Sequence, residues 1–165
     1  MKRIALQSTG DASLHNQVEQ FHKAFDIANR ETPGVPPDDV VRYRLRLIAE
    51  EAFELIEACA GGRFGKEFAV SLREQTTSCI NGMTIGVNLP DFADACGDLD
   101  YVVEGARQAF GIDGTPIADA IHTTNMAKLH DGKVVKNDYG KVIKPEGWTP
   151  PDIAAELHEQ GWDGK

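Results

Sequence analysis

Long apolar runs are missing from this chain. No stretch approaches the roughly 18 consecutive apolar residues of a membrane span, and the opening MKRIALQSTGD has neither an apolar h-region nor a small-residue cleavage motif. A cytoplasmic protein without membrane partners is the expectation. Cysteine is scarce: Cys59, Cys79 and Cys96 are odd in number and lack CxxC spacing, which excludes a disulfide framework. Cys59 and Cys96 fall on apolar helical stripes, where a free thiol behaves as a small hydrophobe in a reducing compartment. Positive charge is outweighed, with 17 Lys+Arg against 26 Asp+Glu and a net charge of −9. Such a surface repels phosphate backbones, so no nucleic-acid polymer is expected as a partner. The five histidines lack zinc-ligand spacing, and Gly65-Lys66 has no glycine at position 60, so it is not a phosphate-binding P-loop. Internal repeats and low-complexity tracts are absent too.

What is present is helical periodicity. With 165 residues, 41% hydrophobic and 26% charged, the composition is that of one globular domain. Ser13 can cap a helix from Leu14 to about Arg30, with Val18, Phe21, Phe25 and Ala28 on its apolar side. After TPGVPP, Asp38 or Asp39 can cap a second helix reaching Ala60. Its stripe is Val41, Leu45, Ile48, Ala52, Leu55, Ile56 and Cys59, and Gly61-Gly62 stops it. A short helix is expected near Lys66–Gln75, then a loop. A third long helix runs from about Pro90 to Phe110, with Asn88 as cap and Phe92, Cys96, Leu99, Val103, Ala106 and Phe110 at core spacing. Thr115 and Pro116 open a fourth, to about His130. Two short extended segments around NDYG come next, and a last helix near Ile153–His158. The expected architecture is a single all-α domain. An antiparallel helical bundle forms its core over about 14–130, and a small hairpin-like C-terminal extension spans 131–165.

Two acidic clusters lie beside these stripes. In Glu50-Glu51-Ala-Phe-Glu54, Glu51 and Glu54 sit about 60° apart on the helix, in a sector shared with Leu47 and Ala58, while Glu57 points toward solvent. In Asp91-Phe-Ala-Asp94-Ala-Cys-Gly-Asp98, spacings of three and four align the carboxylates along one strip beside Phe92, Leu99 and Val103. Like charges at such spacings repel, and burial sharpens the repulsion. A hard dication relieves it: Mg²⁺ takes oxygen ligands, a few carboxylates together with waters and substrate phosphates. Two helices can each offer an acid pair to a bundle interior. The plain alternative is a pair of solvated faces in a chain with 26 acids.

The ordered combination of EExxE at 50–54, DxxD at 91–94 within DFADACGDLDYVVEGARQAFGID, NMAK at 125–128 and YGKVIKP at 139–145 resembles the MazG-like all-α nucleoside triphosphate pyrophosphohydrolases. These are relatives of the dimeric dUTPases and of phosphoribosyl-ATP pyrophosphohydrolase. The resemblance spans roughly residues 15–145. It implies Glu51 and Glu54 as one metal-binding pair, Asp91 and Asp94 as the other with Asp98 outside them, and Glu50 as the acid that activates water. Asn125 and Lys128 fall where the family contacts sugar or phosphate. The resemblance also implies Mg²⁺, with Mn²⁺ as a substitute, and a homodimer or dimer of dimers. The implied reaction is hydrolysis of a (deoxy)nucleoside triphosphate to monophosphate and pyrophosphate, with water attacking the α-phosphorus. Two departures stand out: Asp91 replaces the usual Glu, and the 36 residues between Glu54 and Asp91 exceed the usual linker.

Other residues have two readings. Asn125 and Lys128 share an arc with Ile117 and Ile121; apart from the resemblance they are helix-end groups, Lys128 complementing the negative end of the dipole. Lys133, Lys136, Lys141 and Lys144, with Tyr139 between them, either close over phosphates or guard a strand edge. Gln17 and His22 are candidate base readers on the first helix, and Phe21, Phe25 and Trp148 are candidates for stacking on a nucleobase, though each suits core packing or interface burial better. The alternatives to the expected reaction are a phosphoribosyl-ATP pyrophosphohydrolase of histidine biosynthesis, a non-catalytic metal- or nucleotide-binding helical protein, and a purely structural helical partner.

Overall fold

The structure, a computed structural model, describes residues 13–138 and 141–164. Among them the regular elements are helices: α1 Leu14–Ala24, α2 Asp38–Cys59, α3 Gly62–Gly82, α4 Leu89–Phe110, α5 Gly114–Met126 and α6 Ile153–Glu159. The fold is all-α, as the periodicity predicts. The chain divides into two compact units, Thr32–Cys96 and Met1–Glu31 with Gly97–Lys165.

The first unit is built on a helical hairpin. Pro37 precedes α2, and Asp38 and Asp39 place negative charge in its first turn, at the positive end of the helix dipole. The helix ends where Gly62, at φ 70°, turns the chain within two residues. The approach is close enough that a Cβ on Gly65 would lie 3.1 Å from the Ala60 Cβ. Beyond the turn the chain forms not a short helix and a loop but the 21-residue α3, packed along α2. Arg42 Nη2 donates to the Met83 carbonyl at 3.0 Å, and Arg46 Nη1 donates to Asn81 Oδ1 at 3.2 Å, fastening the open end of the hairpin.

The face that α2 gives to α3 differs from the expected one. Arg42, Arg46, Ala49, Phe53 and Glu57 are half-buried, and Val41 is buried at the margin. Val41 and half-buried Leu45 aside, the periodic apolar stripe is turned outward: Ile48 is 40% exposed, Leu55 55% and Ile56 50%. Glu57, expected in solvent, is thereby partly covered. On α4 most of the apolar stripe is likewise open, from Phe92 at 40% to Phe110 at 74%, while Cys96 is half-buried.

In the second unit α1 packs on α5 and α5 on α6. Ser13 caps α1 by accepting from the Asn16 amide, but the helix stops at Ala24 rather than Arg30. Asp26 takes the left-handed conformation at φ 55°, and the Ile27 amide reaches back to the His22 carbonyl at 2.9 Å, a Schellman-type ending. Phe25, just past the helix, is 1% exposed, and Phe21 stacks on it with centroids 4.1 Å apart. Asp113, not Thr115, caps α5, accepting from the Thr115 amide at 2.8 Å. The Asp113 backbone is bracketed by Gln160, whose Oε1 accepts at 2.8 Å and whose Nε2 donates at 3.1 Å. Asp152 caps α6 by accepting from the Ala155 amide.

The C-terminal extension is hairpin-like, as expected. Lys136 and Val142 form an isolated antiparallel bridge, with the Ile143 amide donating to the Val135 carbonyl at 2.8 Å. Lys136 Nζ donates to the Phe25 carbonyl at 3.1 Å, and Trp148 Nε1 to the Thr124 carbonyl at 3.0 Å. These two bonds tie the extension to the ends of α1 and α5.

Candidate active site

The acids of the candidate site sit on α2 and on the opening turns of α4. A helix rises about 1.5 Å per residue, so Glu50, Glu51 and Glu54 occupy little more than one turn. The electrostatic result is visible at Glu51, whose carboxyl is held above the ordinary glutamate value. Partial desolvation is the main cause, followed by the charges of Glu54 and Glu50. All three side chains are exposed.

Asp91 and Asp94 belong to the same unit, while Asp98, one turn further along α4, belongs to the other. Asp91 accepts from Asn88 Nδ2 at 2.6 Å, so Asn88 orients this carboxylate from the start of the helix. The donor set suits a hard cation in kind, since it consists of carboxylates alone. Among the described residues, however, no three His, Cys, Asp or Glu side chains lie close enough together to hold an ion. The pairs on α2 and α4 are each in place on their own helices but are not gathered into one set.

Beside Glu54 stands a residue that spacing alone did not reveal. Arg73 Nη1 on α3 lies 3.9 Å from Glu54 Oε1, and its side chain is 33% exposed. Arg73 was not legible because its segment reads as a short helix and loop, with no sign that it packs on α2. Next to this pair a cavity of about 690 Å³ opens between α2 and α3, with Glu50 and Arg73 on its wall.

The second unit holds a basic and aromatic cluster. Asn125 is in the last turn of α5, and Lys128 lies beyond the helix end. Lys128 Nζ donates to Asn125 Oδ1 at 2.7 Å and lies 5.5 Å from the centre of the Trp148 ring. Lys144 Nζ lies 3.8 Å from the same ring centre, so two ammonium groups share one indole. Burial, and then the charge of Lys144, pull the Lys128 ammonium below the ordinary lysine value. Lys141 donates its backbone amide to Asn137 Oδ1, a turn contact, and Tyr139 lies outside the described residues.

The base readers expected on α1 are otherwise engaged. Gln17 Nε2 donates to Asp119 on α5, His22 Nδ1 pairs with Asn29 Oδ1 at 2.6 Å, and Phe21 packs on Phe25. These contacts are those of a packed helix.

Comparison with known proteins sets these features in a family. The family described as phosphoribosyl-ATP pyrophosphohydrolase matches residues 18–125, more than half of the chain. A crystal structure of a "putative NTP pyrophosphohydrolase" from Exiguobacterium sp. 255-15 is similar, with a TM-score of 0.73 and 26% identity. That likeness covers 90% of this chain and 95% of the other. A search of curated proteins gave no match. The chain belongs to the phosphoribosyl-ATP pyrophosphohydrolase family, within the MazG-like all-α group.

The raised Glu51 pKa fixes the sign of a stability effect. A carboxyl that binds protons more readily folded than unfolded adds stability as pH falls toward the ordinary value of 4.5, and costs stability once ionised. Glu51→Gln is therefore expected to stabilise the metal-free protein at pH 7. Relief of one same-face repulsion, roughly 0.2–0.5 kcal/mol, corresponds to a rise of about 0.4–2 °C in Tm. Calorimetry at pH 7 and pH 5 checks this, and the gain should shrink at the lower pH.

Proposed function

We propose that the chain hydrolyses a (deoxy)nucleoside triphosphate to the monophosphate and pyrophosphate, with water attacking the α-phosphorus. The observation that supports this reading is the like-charged trio Glu50, Glu51 and Glu54 beside a ligand-sized cavity, with Glu50 on its wall, in a chain of a pyrophosphohydrolase family. Glu51, Glu54, Asp91 and Asp94 are the proposed holders of Mg²⁺ or Mn²⁺, with Asp98 outside them. A cation so held offsets phosphate charge and lowers the pKa of a coordinated water.

The roles of the protein's own groups derive from their chemistry. Glu50 lines the cavity, and as an ionised carboxylate it can take the proton of the attacking water. Lys128 and Lys144, converging on Trp148 with Asn125 beside Lys128, are suited to phosphate oxygens. Asn125 holds Lys128 in place. Phosphoribosyl-ATP is the second reading of the substrate, favoured by the description of the matching family.

The open stripes on α2 and α4 support an assembly of copies. A 22-residue helix with apolar groups such as Leu99 and Phe110 left in water lacks the burial that stabilises helices in proteins. We propose a homodimer or dimer of dimers that covers them, in the cytoplasm. Light scattering at micromolar concentration should give a multiple of 18.0 kDa; a species of 18.0 kDa alone removes the assembly.

A pyrophosphate-release screen over the common NTPs, dNTPs and phosphoribosyl-ATP, with Mg²⁺ and Mn²⁺, tests the reaction. Glu50→Gln should lower kcat by about 10²–10⁴-fold with metal affinity unchanged, and Asp94→Ala should abolish turnover. Loss of metal binding in Glu50→Gln would move Glu50 into the ligand set.

The lysine pair has its own readout. In a Trp162→Phe background Trp148 is the remaining tryptophan of the two, and metal-free pyrophosphate should change its emission. Binding should weaken as pH rises, before the ordinary lysine value of 10.5, because Lys128 sheds its proton early. Lys144→Gln should weaken binding and move its loss to higher pH, since the charge of Lys144 is one cause of the shift. An unchanged emission at saturating pyrophosphate removes the anion-holding role.

A further inference from the structure

We infer that the cavity between α2 and α3 seats the nucleoside of the substrate, with its phosphate end toward Arg73 and its base end toward Tyr43 and Asn81. The inference rests on the hydrolase reading and deepens it by assigning the part of the substrate that the acids do not hold.

The cavity has a direction. Because α3 runs back along α2, Arg73 meets Glu54 at one end of the shared face, and Asn81 meets Arg46 at the other. On α3, Arg73, Thr77 and Asn81 recur every four residues and so line one side. On α2, Tyr43 and Glu50 are also on the wall, separated by about 10 Å of helix, the reach of a nucleoside. A ligand whose α-phosphate lies by the acids must extend its sugar past Thr77 and Ser78 before its base reaches Tyr43.

The chemistry changes along that line to match. Arg73 is tied to Glu54 only at 3.9 Å, which leaves a guanidinium available to a phosphate oxygen. Thr77 and Ser78 present hydroxyls, which both donate and accept, as sugar hydroxyls require. Asn81 Oδ1 accepts from Arg46, so its amide N–H groups remain to meet a base edge. The Tyr43 residue is 49% exposed, with the Arg44 and Arg46 guanidinium carbons 5.9 and 6.0 Å from its ring centre, so a base stacking there would join or displace a guanidinium.

Charge decides between the two halves of the substrate. The wall carries Arg46 and Arg73 but also Glu50 and Glu74, so it offers no net attraction to a polyphosphate. A neutral moiety with donors and acceptors suits such a wall. The volume of about 690 Å³ also lies within the range of roughly 300–1,000 Å³ typical of small-molecule sites.

The test uses the full chain and three substitutions away from the acids: Tyr43→Leu, Thr77→Val and Ser78→Ala. Circular dichroism melts establish which variants fold, and the exposed Ser78 keeps the test available if Thr77→Val does not. With metal and matched ribo- and deoxynucleoside triphosphates, Tyr43→Leu should raise KM about tenfold for every base while kcat stays within about twofold. Thr77→Val or Ser78→Ala should change the ribo-to-deoxy ratio of kcat/KM by about tenfold. Folded variants with unchanged KM and unchanged ratio overturn the nucleoside site and leave the hydrolase reading standing. If the native chain releases no pyrophosphate from any nucleotide, the hydrolase reading falls instead. Equilibrium dialysis with nucleoside monophosphates then decides the cavity: weaker binding in Tyr43→Leu supports the site, and equal binding overturns it.

Discussion

Mutual repulsion among the carboxylates of α2 governs how this molecule can be arranged. Glu50, Glu51 and Glu54 occupy one stretch of helix, and the charges of Glu54 and Glu50 add to partial desolvation in holding the Glu51 carboxyl above its ordinary value. Nothing in helix propensity asks for this arrangement; equivalent glutamates spread around the helix would cost less. The arrangement is tolerable because the side chains remain hydrated and because Arg73 approaches Glu54 from α3. Exposed pairs at such a distance contribute little. The acids are thus held at modest cost in the metal-free chain, in a state from which they gain by binding positive charge.

The second constraint is the mismatch between apolar pattern and packing. α3 lies on the α2 face of Arg42, Arg46, Ala49, Phe53 and Glu57, and few large apolar groups are sealed by that contact. Two arginines at this face make hydrogen bonds across it, though the Arg42 Nε stays buried without a partner, so it is a polar seam with an opening in it. The richer apolar stripe, Ile48, Leu55 and Ile56, faces away. A hairpin joined by its polar seam and open on its apolar side leaves burial to be completed by another surface, whereas the reverse arrangement would have closed the α2–α3 cavity with side chains.

Helical periodicity made α2 and α4 legible almost to their ends, because apolar residues at three- and four-residue spacing need only local geometry. It identified which face of α2 is apolar but not which neighbour would cover it, and that is where expectation and structure part. The last turns of α3, beyond Gln75, were missed because residues such as Thr76, Thr77, Ser78 and Asn81 are mostly polar, and a polar helix on a polar seam has no periodic signature. The end of α1 was misplaced for a different reason. Its left-handed closing residue is Asp26 rather than the glycine that usually marks such a turn. The acids of the site were readable as spacing. Arg73, and the meeting of Lys144 with Trp148, depend on contacts between segments that spacing does not encode.

On the proposed reading, those contacts are what lets a chain of net charge −9 engage an anion. Lysines scattered singly among the 26 acids would be offset by acidic neighbours within a Debye length of about 10 Å, so the proposed contact needs positive charge that is concentrated. The extension does this by anchoring Trp148 to the Thr124 carbonyl and bringing Lys144 onto its ring, while Asn125 restrains Lys128 from the end of α5. Each ammonium raises the free energy of the other, which is one reason, after burial, that Lys128 is pulled below its ordinary value. An indole beneath them offsets part of that cost without neutralising either charge, as a carboxylate would. The cluster therefore holds two cationic donors on one aromatic ring, which is what the proposed anion contact needs, whereas an acid in that place would have occupied the lysines itself.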